Sequence, residues 1–174
     1  MLVLKILSKL IKILSSAASP NQIAGGFAMG MVIGLTPLLT LHNVLIFILI
    51  ILININIGTA IFSFAIFSGV GFLLDPLFHN LGYFLLVDVE SLNGLWTTLY
   101  NVPIIALSRY NNTVVLGSLI AALLLFNPMF VTGRVFVNVY RRSLLPRFQQ
   151  LKILQLAKGS KIYQLYKKIQ EFRG

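Results

Sequence analysis

Hydrophobic positions dominate this chain so evenly that its polar residues act as punctuation. From Ile13 to Ser108 there is no lysine or arginine, and the only acids are Asp75, Asp88 and Glu90. Four of the six prolines follow a residue able to cap a helix: Ser19-Pro20, Thr36-Pro37, Asp75-Pro76 and Asn127-Pro128. An N-cap oxygen accepts from an orphan amide, and proline fits the first helical position because it has no amide to leave unpaired. Each pair therefore predicts a helix start, the alternative being four proline kinks inside longer helices.

Read as starts, the pairs predict a first embedded helix over 20–34, at 1.5 Å per residue roughly 22 Å long against a hydrocarbon core of roughly 30 Å. Gly26, Gly30 and Gly34 recur every fourth residue in it and form one smooth ridge for close packing of another helix. The next helix, 37–57, contains the wholly apolar run Val44 to Ile53 and is the strongest spanning candidate. Beyond it the pattern predicts broken pieces at 59–74 with 76–87, and at 113–126 with 128–140. Residues 88–112, with Trp96, Tyr100 and Tyr110, suit the head-group layer.

The ends differ. In residues 1–19, Lys5, Lys9 and Lys12 share one helical face, which predicts an interfacial amphipathic helix and not a secretory signal, since they interrupt the apolar run. Residues 143–174 place Phe148, Leu151, Leu154, Ile162, Leu165, Ile169 and Phe172 at helical spacing among lysines and arginines, with Gly159-Ser160 dividing two helices. Such a basic amphipathic tail lies on a membrane or docks a partner protein. The expected fold is all-α: a polytopic integral membrane protein with broken or re-entrant helices and amphipathic terminal helices, its embedded domain covering 20–142.

Composition sharpens that class. Apolar residues make up 57% of the 174 residues and charged ones 10%, where soluble domains carry about 25% charged. The net charge of +10 gathers at the two ends, as the positive-inside rule expects of cytoplasmic segments, and is not interleaved with stacking aromatics as in nucleic-acid binders. Nucleic acid is therefore not an expected partner; membrane lipids are. Cations at both ends predict both termini in the cytoplasm and an even number of crossings. A re-entrant hairpin plus two crossings meets this requirement, as do four crossings. With no cysteine, thiolate ligands and disulfides are excluded.

Chemistry has few candidate groups: two histidines, four acids, no metal-ligand spacing, no phosphate-cradling loop and no nucleophile elbow. No enzymatic activity, cofactor or metal is expected. The embedded polar residues Asp75, His79, Asn80, Arg134, His42 and Asn43 nevertheless each call for a partner. Asp75 and Arg134 are expected either to pair in the interior, or to act separately as a helix cap and a snorkelling cation. His42-Asn43 and His79-Asn80, each after a Pro-Leu pair, suggest a duplicated broken-helix unit such as transporters use around a midplane site. Helix starts there would aim amides at an anion, with ordinary packing as the bland alternative.

Ser19-Pro20, Ile23-Ala24, Gly26, Ala28, Gly30, Gly34 and Pro37, then Asn56, Pro76 and Leu81-Gly82, resemble the bacterial membrane family filed as domain of unknown function 2062, over roughly residues 12–130. The chain departs from that pattern at Asp75, where the family commonly has asparagine, and before the first asparagine, where it lacks a cation. The resemblance implies a bacterial cytoplasmic-membrane location and a link to the cell envelope, and no activity. The first expectation is a small non-enzymatic subunit that anchors or completes a larger envelope assembly handling lipids. The alternative is a minimal transporter or lipid-translocating protein. Self-association stays open under either.

Overall fold

Ser19 opens the first helix as its sequence predicts. In the computed structural model, which describes residues 11 and 13–146, Ser19 Oγ accepts from the Gln22 amide and Gln22 Oε1 accepts from the Ser19 amide, 3.2 and 2.7 Å apart. This capping box, with Pro20 at the first position, starts α1 (Pro20–Leu35). The predicted amino-terminal anchor helix lies largely outside the described residues, and so does most of the basic tail.

The second predicted start is corrected. Proline biases the preceding residue toward extended backbone, so Thr36 (ψ 150°) ends α1 instead of opening a helix at Pro37. The next helix, α2, spans only Leu41–Leu52 and begins at an extended Thr40. At twelve residues, or about 18 Å, it is too short to be the spanning element expected over 37–57.

The third and fourth starts are also corrected. Helix α3 (Ile57–Tyr83) runs on through Pro76, and α6 (Thr113–Val139) through Pro128. Between them lie two short helices, α4 (Asn93–Tyr100) and α5 (Pro103–Ala106). Continuity wins because one face of each long helix packs along its whole length. On α3, Gly71, Phe78 and Gly82 are buried on both sides of Pro76; on α6, Val115, Gly117 and Ala122 are buried before Pro128 and Val137 after it. A break would redirect half of each face. The long helices take their caps from asparagines: Asn56 Oδ1 accepts from the Thr59 amide at 2.9 Å, and Asn112 Oδ1 from Val114 and Val115. Wider π-type turns extend both, over Phe84–Asp88 and Tyr140–Leu144.

The described residues are helical with no strand, and α1, α3 and α6 pack against one another. The Asn56 amide donates to the Gln22 carbonyl, which sets the start of α3 beside the first turn of α1. Farther on, a Cβ at Gly71 would meet the Gly34 carbonyl at 2.9 Å and Leu35 Cα at 3.2 Å. Helix α1 thus runs parallel to α3 and stops 14 residues into it, about 21 Å along a segment of 32 residues, or about 48 Å. Helix α2 then returns, with Ile46 and Ile50 packing near Met29, Ile33, Ala60 and Phe64. Helices α1 and α2 form a hairpin that enters the bundle from one end and turns back near the middle of α3.

Glycines let the helix backbones touch. Cβ atoms at Gly26, Gly30 and Gly34 would strike the Asn56 carbonyl, the Ala60 carbonyl and Phe64–Phe67, all on α3. Gly82 and Gly117 do the same between α3 and α6, against Thr113 and Phe78. Ser63 Oγ donates across the α1–α3 seam to the Phe27 carbonyl at 2.6 Å.

Two helices, Ile57–Asp88 and Thr113–Ser143, are long and apolar enough to cross a membrane, with mean hydropathies of 2.0 and 2.3. Only 22% and 28% of their most apolar windows are buried within the protein. A core helix of a soluble fold would hide most of that surface.

Candidate functional site

A cluster of hydrogen-bonded polar side chains sits at the hairpin turn. Pro37 interrupts the helical bonding there, and side chains supply partners to its carbonyl. Asn43 is fully buried; its Nδ2 donates to the Pro37 carbonyl at 2.9 Å and its Oδ1 accepts from Thr36 Oγ1 at 2.9 Å. That hydroxyl also lies 2.8 Å from the Val32 carbonyl, so its one hydrogen is shared. Thr40 Oγ1 donates to the Pro37 carbonyl at 3.0 Å and lies 2.9 Å from His42 Nε2. The single Thr40 hydrogen serves either the Pro37 carbonyl or His42 Nε2, and the imidazole tautomer sets which atom of the Thr40–His42 contact donates. His42 Nδ1 is buried with no hydrogen-bond partner. The turn therefore has its Pro37 carbonyl reached by two side-chain donors and one buried ring nitrogen without a partner.

The remaining candidates do not join it. Asp75 is half-buried one turn past Gly71, and Arg134 is exposed beside Gly133, whose nearest neighbour is Ala24 at the opening of α1. Those levels are roughly 20 Å apart along the bundle, so Asp75 and Arg134 do not pair. Nor does Asp75 cap a helix, since its backbone lies inside α3. His79 is exposed; its Nδ1 lies 2.7 Å from Thr113 Oγ1 and its ring leans on Tyr83, at the far junction of α3 and α6. Asn80 is exposed. The duplicated unit suggested by His42-Asn43 and His79-Asn80 is thus corrected: one pair follows a helix-ending proline at a turn, the other a proline within a continuous helix. Among the described residues no three His, Cys, Asp or Glu side chains gather as metal ligands would.

Sequence reading missed two constellations. At the open end of the hairpin, Arg141 Nε donates to the Leu14 carbonyl at 2.9 Å, and its Nη2 donates to the carbonyls of Ser16 (2.9 Å) and Ala18 (2.8 Å). One guanidinium thereby fastens the end of α6 to the segment leading into α1, with Ser15 and Tyr140 hydroxyls 3.3 Å apart beside it. The arginine-rich run in the sequence signalled a cation there, and nothing in the sequence signalled its partners. At the opposite end, Trp96 and Tyr110 stack with ring centres 5.8 Å apart, Trp96 Nε1 donating to the Leu85 carbonyl and Tyr110 Oη to the Trp96 carbonyl. Burial pushes the Tyr110 phenol above its ordinary value of 10.0, and Tyr100 adds to the rise. These bonds tie α4 to the π-type extension of α3 and to the loop that leads into α6.

Comparison with known proteins agrees with the features that carried the resemblance. An "Uncharacterized protein" of Treponema pallidum (strain Nichols) is 27% identical over 157 residues, covering 90% of this chain and 96% of its own length. No solved structure matches the chain. The pattern of the bacterial family described as "Uncharacterized protein conserved in bacteria (DUF2062)" matches residues 5–144. With the glycine seam, the capped α1 and both long helices inside that match, the chain belongs to this conserved bacterial family.

Proposed function

We propose that this protein is an integral component of the bacterial cytoplasmic membrane, crossing it with α3 and α6 and inserting α1–α2 as a re-entrant hairpin from the cytoplasmic side. The observation that carries this reading is the hairpin depth. Helix α1 stops about 21 Å along α3, so a bilayer spanned by α3 would hold the Thr36–Asn43 turn in its interior. The side chains of Thr40 and Asn43 both reach the Pro37 carbonyl as donors at that turn, the kind of pairing that irregular backbone within a membrane needs. Both chain ends then share the cationic, cytoplasmic side, in keeping with two crossings.

In that setting the protein acts as a small non-enzymatic subunit that anchors or completes a larger envelope assembly in contact with lipid. Asn43, Asn56, Ser63 and Arg141 spend their hydrogen bonds on holding the fold, while α2 presents Val44, Leu45, Ile48, Ile51 and Leu52 outward. The transporter reading has less support, since Asp75, His79 and Arg134 sit on separate levels and neither long helix breaks at its proline. The hairpin turn with His42 is the site that reading would need.

The natural absence of cysteine makes topology directly measurable. In intact cells, an impermeant maleimide should label Asn111→Cys from outside, label Ser16→Cys only after the membrane is opened, and leave Leu38→Cys protected from both sides. External labelling of Ser16→Cys, or ready labelling of Leu38→Cys, would overturn the proposed insertion. Purification in mild detergent then tests the subunit role: a stoichiometric protein partner supports it, and substrate flux by the isolated protein in proteoliposomes refutes it.

A further inference from the structure

Beside the Arg141 clamp lies a cavity of about 260 Å³ whose walls are apolar: Leu14, Ile23 and Phe27 on one side, Phe62, Met129 and Val137 on the other. Packed interiors hold few voids larger than a water molecule, and apolar cavities stay dry and accept hydrocarbon. Thr59 and Thr132 also line it, but neither turns a polar atom into the cavity, and the Thr59 hydroxyl is engaged with Asn56 Oδ1 at 2.9 Å. The cavity is half-open, and Phe136 on its rim is 57% exposed. What fits it is a flexible hydrocarbon chain entering from the side.

Charge at the mouth adds a second specification. Arg134 adjoins the lining residue Gly133, and Arg141 grips the carbonyl of the lining residue Leu14. The two arginines stand about one turn before and one turn after Val137. Arg141 is held by three neutral carbonyls through Nε and Nη2, and its Nη1 makes no hydrogen bond to a described residue. Of the four acids, Asp75 lies far along α3, Asp88 and Glu90 lie beyond it, and Glu171 is outside the described residues. Positive charge without a carboxylate among the described residues nearby, above a dry hydrocarbon slot, matches a phosphate head group joined to an acyl chain.

We propose that this cavity binds one acyl chain of an anionic phospholipid, whose phosphate is held by Arg134 and Arg141. The inference rests on the membrane reading given above and deepens it, making a specific lipid part of the seam between α1, α3 and α6.

The test uses the full chain with Trp96→Phe and Phe136→Trp, which moves the sole tryptophan to the cavity rim. The protein is reconstituted into vesicles containing phosphatidylglycerol or phosphatidylcholine brominated on the acyl chain, and quenching of the tryptophan is titrated. The expected result is a preference for the brominated phosphatidylglycerol of about fivefold or more, the factor that roughly 1 kcal/mol per cation confers. That preference should vanish in Gly133→Leu, which fills the slot, and persist in Gly133→Ala, whose Cβ would sit at an ordinary 3.5 Å from Ala24 Cβ. Arg141→Gln should abolish it too; if that variant fails to fold, Arg134→Gln and Gly133→Leu decide the matter. Equal quenching by both lipids would mean bulk lipid only and overturn the proposal. So would a preference surviving Gly133→Leu, or quenching that appears only after residues 147–174 are deleted, which would make the chain's own tail the occupant. Protein that stays out of the vesicles altogether would instead refute the membrane reading itself.

Discussion

Gly30→Ala is the sharpest perturbation of the α1–α3 seam. A Cβ there would collide with the Ala60 carbonyl oxygen and lie 2.9 Å from both Ala60 C and Cα. The obstacle is backbone, so no rotamer change relieves it. Bringing those carbons to ordinary contact at 3.4 Å requires the helices to part by at least about 0.5 Å. A gap of 0.5–1 Å forfeits roughly a quarter to a half of each dispersion contact along the seam, and overpacked substitutions of this kind cost about 1–3 kcal/mol. Alanine recovers up to about 1 kcal/mol of helix propensity, which leaves a net loss of about 1–2 kcal/mol. Gly69→Ala is the matched control, since nothing lies within 4 Å of a Cβ at that position. Unfolding in mixed micelles, followed by helical circular dichroism as the denaturing detergent fraction rises, should place Gly30→Ala below the wild type and Gly69→Ala level with it or above. If Gly30→Ala were as stable as Gly69→Ala, the backbones could not be in the contact described.

Asp75→Asn and Arg134→Gln should be additive within about 0.5 kcal/mol, because residues roughly 20 Å apart do not couple directly; a larger coupling energy in the double-mutant cycle would restore the pair. Asn43→Leu should cost about 1–3 kcal/mol by stripping the Pro37 carbonyl of a donor within the buried turn, read as a loss of melting temperature in detergent. Arg141→Gln should expose residues 13–19 to faster amide exchange while α3 stays protected, as expected when three carbonyls lose their common donor. Tyr110 favours its neutral form in the folded state, so its contribution is complete below pH 10 and is lost as pH rises through its elevated pKa. Trp96 fluorescence should change in that alkaline window and not in Tyr110→Phe; an identical change in both would discard the argument.

Several features of the fold were legible in the sequence because they are local. Ser19-Pro20-Asn21-Gln22 contains a complete capping box within four residues, and its partners could not be elsewhere. Gly26, Gly30 and Gly34 fall on one face by helical periodicity alone, whatever they meet. The scarcity of charge from Ile13 to Ser108 fixed a chain with more apolar surface than its own core can hide. The candidate site was legible in part: His42 and Asn43 were recognisable as polar residues needing partners, while Thr36, which donates to Asn43, read only as a cap and Thr40, beside His42, carried no signal of its own.

Tertiary packing decided the rest. Asp75-Pro76 and Asn127-Pro128 carry the same local signal as Ser19-Pro20, and a cap is worth about 1 kcal/mol. At Pro20 the residues just before the proline, Ser15–Ser19, lie outside any helix, so no continuous helix face competes. At Pro76 and Pro128 a buried face continues on both sides, and keeping Phe78, Gly82 and Val137 seated outweighs the local preference. Register between α1, α3 and α6 likewise separated Asp75 from Arg134 and brought Arg141 to Leu14, over 127 positions of sequence. Composition and periodicity determine which faces must be buried; only the meeting of three helices determines at what height, and against which residues, those faces come together.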